Sequence, residues 1–128
     1  MKLSTFMAIA AFIALGFGLA FILVPTQTMS LYGVALEEGG QWLGRYLGSA
    51  FIGVAVLTWH SRKAPQGEAL RAVVLGDFVL SVTGLIVAVL DVIYGSGNAL
   101  VWSTVVLYLF LTVGFGYFQF VKSAPAGP

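Results

Sequence analysis

Three ionisable side chains stand inside stretches that are otherwise almost wholly apolar: Arg45, Asp77 and Asp91. At the centre of a bilayer such a residue costs ~2.5–3.5 kcal/mol on insertion scales, and less toward an end. A carboxyl held there has two uses. It can hold a proton or a cation in a small wet path, or it can lock neighbouring helices through a hydrogen bond. Asp77 poses that choice most sharply. It lies about eight residues into its stretch, ~12 Å deep at ~1.5 Å per helical residue, too deep for so short a side chain to reach the interface.

Asp77, Ser81, Gly84, Ala88 and Asp91 follow one another at intervals of 4, 3, 4 and 3. That spacing puts them on one face of a helix. The face is small and polar, which suits close helix contact with hydrogen bonds across it. As a lock, Asp77 would find hydroxyls at Ser49, Thr104 or Thr112 of neighbouring stretches. Arg45 and Asp91 each lie three residues in from the same membrane boundary, ~4–5 Å below it. Being level, they are expected to pair; the plain alternatives are a structural salt bridge or two side chains reaching the interface separately, and the functional one is the mouth of a pore.

The remaining inventory is thin. His60 is the only histidine and there are no cysteines, so one chain supplies neither a bis-imidazole haem site nor a typical zinc site. His60 reads as an interfacial residue beside Trp59. No catalytic group, metal site or cofactor is assigned, and no basic run points to nucleic acid. Small residues four apart recur at Ala10/Ala14/Gly18, Gly44/Gly48, Ser49/Gly53 and Thr112/Gly116. These, with Gly84, are candidates for helix packing or for docking a partner helix.

The elements that must position these residues are four apolar stretches, at about 3–24, 42–59, 70–94 and 99–121. A hydrocarbon core ~30 Å thick is crossed by ~20 helical residues. The runs are continuous rather than alternating, which excludes a barrel. Only 9% of the 128 residues are charged and mean hydropathy is +0.99, against about 25% charged in soluble domains. Lipid is the solvent that suits such a chain, and one domain, 1–128, accounts for its length.

The first stretch is followed by Phe21, Ile22, Leu23 and Val24 where a signal cleavage site needs small residues, so it reads as an uncleaved helix ended by Pro25. A short interfacial helix is expected around 27–32. The links 60–69 and 95–98 are turn-rich, which makes consecutive helices antiparallel neighbours. The tail, 123–128, is short and Pro-rich. Lys2, Arg62, Lys63, Arg71 and Lys122 fall at one side if the helices alternate, against Arg45 alone at the other. Both termini are therefore expected on the cytoplasmic side of the inner membrane. Trp42, Tyr46, Tyr94 and Trp102 mark the outer boundary, and Trp59, Tyr117 and Phe118 the inner one.

The run Gly-Arg-Tyr-Leu-Gly-Ser-Ala-Phe-Ile-Gly (44–53), Leu-Thr-Trp-His-Ser-Arg (57–62), Asn-Ala-Leu-Val-Trp-Ser-Thr-Val-Val-Leu-Tyr (98–108), Pro25 and Leu31-Tyr32-Gly33 resemble small four-span bacterial membrane proteins of the DoxX-like group. The resemblance implies a four-helix bundle and no activity. Some members are associated with redox systems, an association that a chain without cysteine or a second histidine does not take on. The expected fold is an all-α, antiparallel four-helix membrane bundle with both ends inside. The first expected function is a non-enzymatic accessory or structural subunit, in contact with lipid and with other membrane subunits or copies of itself. The alternative is a small oligomeric transporter or channel that uses Asp77 as a proton or cation site.

Overall fold

The computed structural model describes residues 1–121 and is all-α, with no strand among the described residues. Lys122 and the tail 123–128 lie outside them. The helices are α1 (Leu3–Leu23), α2 (Pro25–Ser30), α3 (Glu38–Ser61), α4 (Glu68–Ile93) and α5 (Val101–Gly116), the last running into a π-helical turn, Tyr117–Val121. Three segments are long and apolar enough to cross a membrane: Leu3–Leu23, Glu68–Ile93 and Val101–Val121. At 24 residues α3 is long enough to cross, but Gly39, Gly40, Gln41, Arg45, Ser49 and His60 make it more polar than the other three.

Helix ends follow local chemistry. Helix α3 starts at Glu38, upstream of its apolar stretch, and α4 starts at Glu68; each carries an acid in its first turn. A carboxylate there faces the positive end of the helix dipole. Pro25 opens α2 at a position where its missing N–H is not needed. The Thr28 hydroxyl lies within hydrogen-bonding distance of two carbonyl oxygens at this bend, Val24 O at 2.7 Å and Ala20 O at 3.2 Å. Gly95 and Gly97 take positive φ in the link to α5, a conformation that costs glycine nothing.

Helix α1 packs chiefly on α3, and α4 chiefly on α5; α3 and α4 meet only sparsely. The α1–α3 contact is made by backbone. A Cβ on Gly48 would stand 2.6 Å from the Gly18 carbonyl oxygen, and one on Gly18 would stand 2.9 Å from that of Gly48. Only glycine fits at both points, so Ala10/Ala14/Gly18 and Gly44/Gly48 meet through their Gly18 and Gly48 members. Between α4 and α5, the Tyr108 ring occupies the space a Gly84 side chain would need.

The two pairs are joined at one end by a core of Phe6, Met7 and Ala10 from α1, Leu70 and Val74 from α4, and Leu111 and Phe115 from α5. Phe6 is its hub. Its ring lies 4.8 Å from that of Phe115, edge to face, and 5.3 Å from that of Phe110, a separation at which aromatic pairs attract. Phe6 also fills the space over Gly114.

At the other end the joint is polar. The Asn98 backbone N–H donates to Tyr32 O at 2.8 Å, and its side-chain amide donates to Leu31 O at 3.0 Å. Its carboxamide oxygen accepts from the Leu100 N–H at 2.9 Å. One side chain thus ties the segment after α2 to the approach to α5.

Candidate functional site

Between the aromatic core and the Asn98 joint, all four long helices turn a stripe toward a shared cavity of about 830 Å³. The stripes are read directly from helical spacing: Ala10, Ala14, Phe17 and Phe21 on α1; Gly44, Leu47, Phe51, Val54 and Thr58 on α3; Asp77, Ser81, Gly84, Ala88 and Asp91 on α4; Val101, Thr104, Tyr108, Leu111 and Phe115 on α5. Recurrence at three and four residues keeps each set on one face. The walls are mainly apolar, and the polar groups gather toward two ends.

One end is built on Asp77. The residue is 7% exposed, Thr58 is 1% exposed, and the Thr58 hydroxyl donates to Asp77 Oδ2 at 2.8 Å. The other carboxylate oxygen, Oδ1, accepts no hydrogen bond from the described residues, and Asp77 lines the cavity. Ser81 is buried, but its hydroxyl donates to the Asp77 backbone carbonyl at 2.7 Å. It is spent within α4 and does not bond across to another helix. Asp77 is therefore an acceptor with one protein donor, sited where α3 and α4 come closest to sharing chemistry.

The other end collects Asp91, Ser96, Tyr32 and Thr104. The Thr104 hydroxyl is 3.4 Å from the Tyr32 hydroxyl. Asp77 and Asp91 are fourteen positions apart, so the ends are separated by ~21 Å along α4. Among the lining residues there are two carboxylates and no lysine, arginine or histidine.

Several expectations need correcting. Arg45 and Asp91 do not pair, and no ion pair links described residues. Arg45 is exposed and does not line the cavity, whereas Asp91 does. Depth along the membrane set them level, but the two side chains leave their helices in different directions. The hydroxyl on Asp77 comes from Thr58, not from Ser49, Thr104 or Thr112. Ser49 is exposed on another face of α3, Thr104 turns to Tyr32, and the buried Thr112 hydroxyl has no partner among the described residues.

The packing candidates divide in the same way. Gly48 and Gly84 stand against other elements, and Gly44 lies in ordinary contact with Pro25 and Phe21. A side chain on Gly53 would meet nothing within 4 Å among the described residues. His60 is exposed, with Nδ1 3.0 Å from Val56 O of its own helix. Next to it the Arg62 guanidinium lies 3.6 Å over the Trp59 ring and donates to Trp59 O.

Thr58, Tyr32 and Ser96 are lining residues that sequence reasoning passed over as site members. Thr58 stands one seven-residue repeat from Phe51 and two from Gly44 on the α3 stripe, a regularity that could have drawn attention to it. No group of three or more His, Cys, Asp or Glu capable of holding a metal occurs among the described residues. Comparison with protein-family models, with curated proteins and with solved structures finds no match to this chain.

Proposed function

We propose that this chain is a four-span inner-membrane protein, with both ends at the cytoplasmic face, that binds a cation or proton at Asp77 as part of a small transporter or channel. The observation that carries this reading is the buried carboxylate on the wall of a cavity about 830 Å³ in volume. Among the described residues Asp77 has one donor, the Thr58 hydroxyl, and we read its second oxygen as left for a solute. The cavity is lined by residues of a single chain.

Four crossings are supported by the length of α3 and by its pairing with α1. The orientation is supported by Lys2, Arg62, Lys63 and Arg71 at the ends opposite to Glu37, Glu38 and Arg45. Exposed Trp42, Tyr46, Tyr94 and Trp102 supply the aromatic belt at the outer boundary. The DoxX-like resemblance agrees with four spans and lends no activity.

The test is labelling with a membrane-permeant carbodiimide, which reacts with protonated carboxyls in apolar surroundings. Mass spectrometry of the purified, folded protein should find an adduct on Asp77 that is absent from Asp77→Asn and suppressed by a bound cation. An unlabelled Asp77 would sink the proposal.

A second reading has its own observation. Ser49, Ala50 and Gly53 form an exposed small-residue face on α3, the kind of surface against which a partner helix packs. It favours the non-enzymatic accessory subunit. Purification in native lipid particles decides between them: a fixed stoichiometry with a second protein supports the subunit, and the chain alone supports the transporter.

A further inference from the structure

The cavity restricts what can be bound more narrowly than the word cation does. A hard metal ion takes about six oxygen ligands. The Asp77 end offers one carboxylate and the Thr58 hydroxyl, while the Ser81 hydroxyl is already given to its own helix. Stripping water from a small ion here would leave most of its coordination unfilled. An anion fares worse, because Asp77 and Asp91 both line the space and no lining residue is basic.

The walls between the two aspartates are of another kind. Phe17, Phe21, Phe51, Tyr108 and Phe115 bring aromatic rings to the lining, among aliphatic side chains and small residues. Rings attract a cation through their negative faces, most strongly where it is desolvated. A volume of about 830 Å³ falls in the ~300–1,000 Å³ range of small-molecule sites.

Starting from the cation site read at Asp77, we infer that the ligand is an amphipathic organic cation: an amine, quaternary ammonium or phosphonium of drug-like size. Its charge sits against Asp77, and its apolar body fills the space between the helices. The buried, singly hydrogen-bonded carboxylate supplies the charge partner. The aromatic and aliphatic wall supplies contacts that no inorganic ion would use.

The experiment uses two probes of nearly the same shape and opposite charge, tetraphenylphosphonium and tetraphenylborate, with the full chain in mild detergent. Equilibrium binding of radiolabelled tetraphenylphosphonium should saturate at one per chain. Tetraphenylborate should not compete. Asp77→Asn should weaken binding at least ten-fold. In the wild-type chain tetraphenylphosphonium should also slow carbodiimide labelling of Asp77, a readout that needs no variant to fold. Equal binding of both ions, or unchanged affinity in a folded Asp77→Asn, would overturn the inference. So would carbodiimide labelling that the phosphonium leaves untouched. If Asp77 is labelled and inorganic cations suppress the labelling while the phosphonium does not, the ligand class is wrong and the cation site stands. If Asp77 is not labelled at all, the cation site itself fails.

Discussion

The α1–α3 seam and the space beside it are built from the same helices in opposite ways. At Gly18 and Gly48 two backbones touch, so closely that neither position has room for a methyl group. On neighbouring faces of the same helices, Ala14, Phe17, Leu47 and Phe51 line a cavity that they do not fill. In lipid, helix association draws on van der Waals packing more than on expulsion of water. Contact must therefore be concentrated somewhere if the centre is to stay open. The chain concentrates it at the glycine seam, at the Tyr108–Gly84 contact and in the aromatic core around Phe6. The cavity is tolerable because those contacts hold its walls apart.

The comparison breaks most visibly at Phe6. Phe6→Ala removes the hub that joins α1 to α4 and α5 and should destabilise the protein by about 3–5 kcal/mol. Equilibrium unfolding in bicelles measures it, and a loss below about 1 kcal/mol would mean that the two pairs are held together elsewhere. Next comes the seam. Gly48→Val should cost about 2–3 kcal/mol by overpacking, whereas Gly53→Val, on the same helix with open space around it, should change stability by less than about 0.5 kcal/mol. A third substitution sharpens the contrast. Ala14→Leu adds volume toward the cavity, and it should leave stability within about 0.5 kcal/mol while reducing the amount of bound phosphonium. If Ala14→Leu destabilises as much as Gly48→Val, the centre is packed more tightly than its volume indicates.

Removing the polar joint should have a smaller effect. Asn98→Ala deletes the amide that donates to Leu31 O and the oxygen that accepts from Leu100 N–H. At about 1 kcal/mol for a typical net hydrogen bond, the expected loss is about 1–2 kcal/mol. Hydrogen exchange should rise at Leu100 and Val101 and remain unchanged in the Phe6 core. A uniform rise across all helices would show that the joint is not local.

How much of this was legible beforehand depends on what spacing encodes. The 4-3-4-3 run from Asp77 to Asp91 fixes one face of α4, and that face does line the cavity. Spacing also brought Gly18 and Gly48 forward, because each belongs to a small-residue repeat. It could not say that this pair meets and Ser49/Gly53 does not, since both repeats lie on α3 and only the three-dimensional crossing chooses between them. Nor could it foresee the cavity, because periodicity gives the inward face of each helix and not the distance between helices. Thr58 was missed for a related reason. A threonine near a helix end is chemically ordinary until a carboxylate from another helix arrives 2.8 Å from its hydroxyl.

Arg45 and Asp91 supply the finest test, because they separate depth from direction. Each is three residues from the end of its apolar stretch in the sequence, yet Arg45 is exposed and Asp91 lines the cavity. Successive residues on a helix diverge by ~100°, so Arg45 leaves α3 well away from Gly44, which does line it. A double-mutant cycle of Arg45→Gln and Asp91→Asn should therefore give a coupling energy indistinguishable from zero, within the ~0.3–0.5 kcal/mol seen for independent sites. The single variants should differ in what they disturb. Arg45→Gln should leave phosphonium affinity unchanged, whereas Asp91→Asn should weaken it by a few fold, since the second carboxylate contributes to the negative potential of the cavity. A coupling of about 1 kcal/mol or more would put the arginine back at the cavity mouth. There it would oppose the entry of any cation, and the charge asymmetry on which the ligand class rests would be lost.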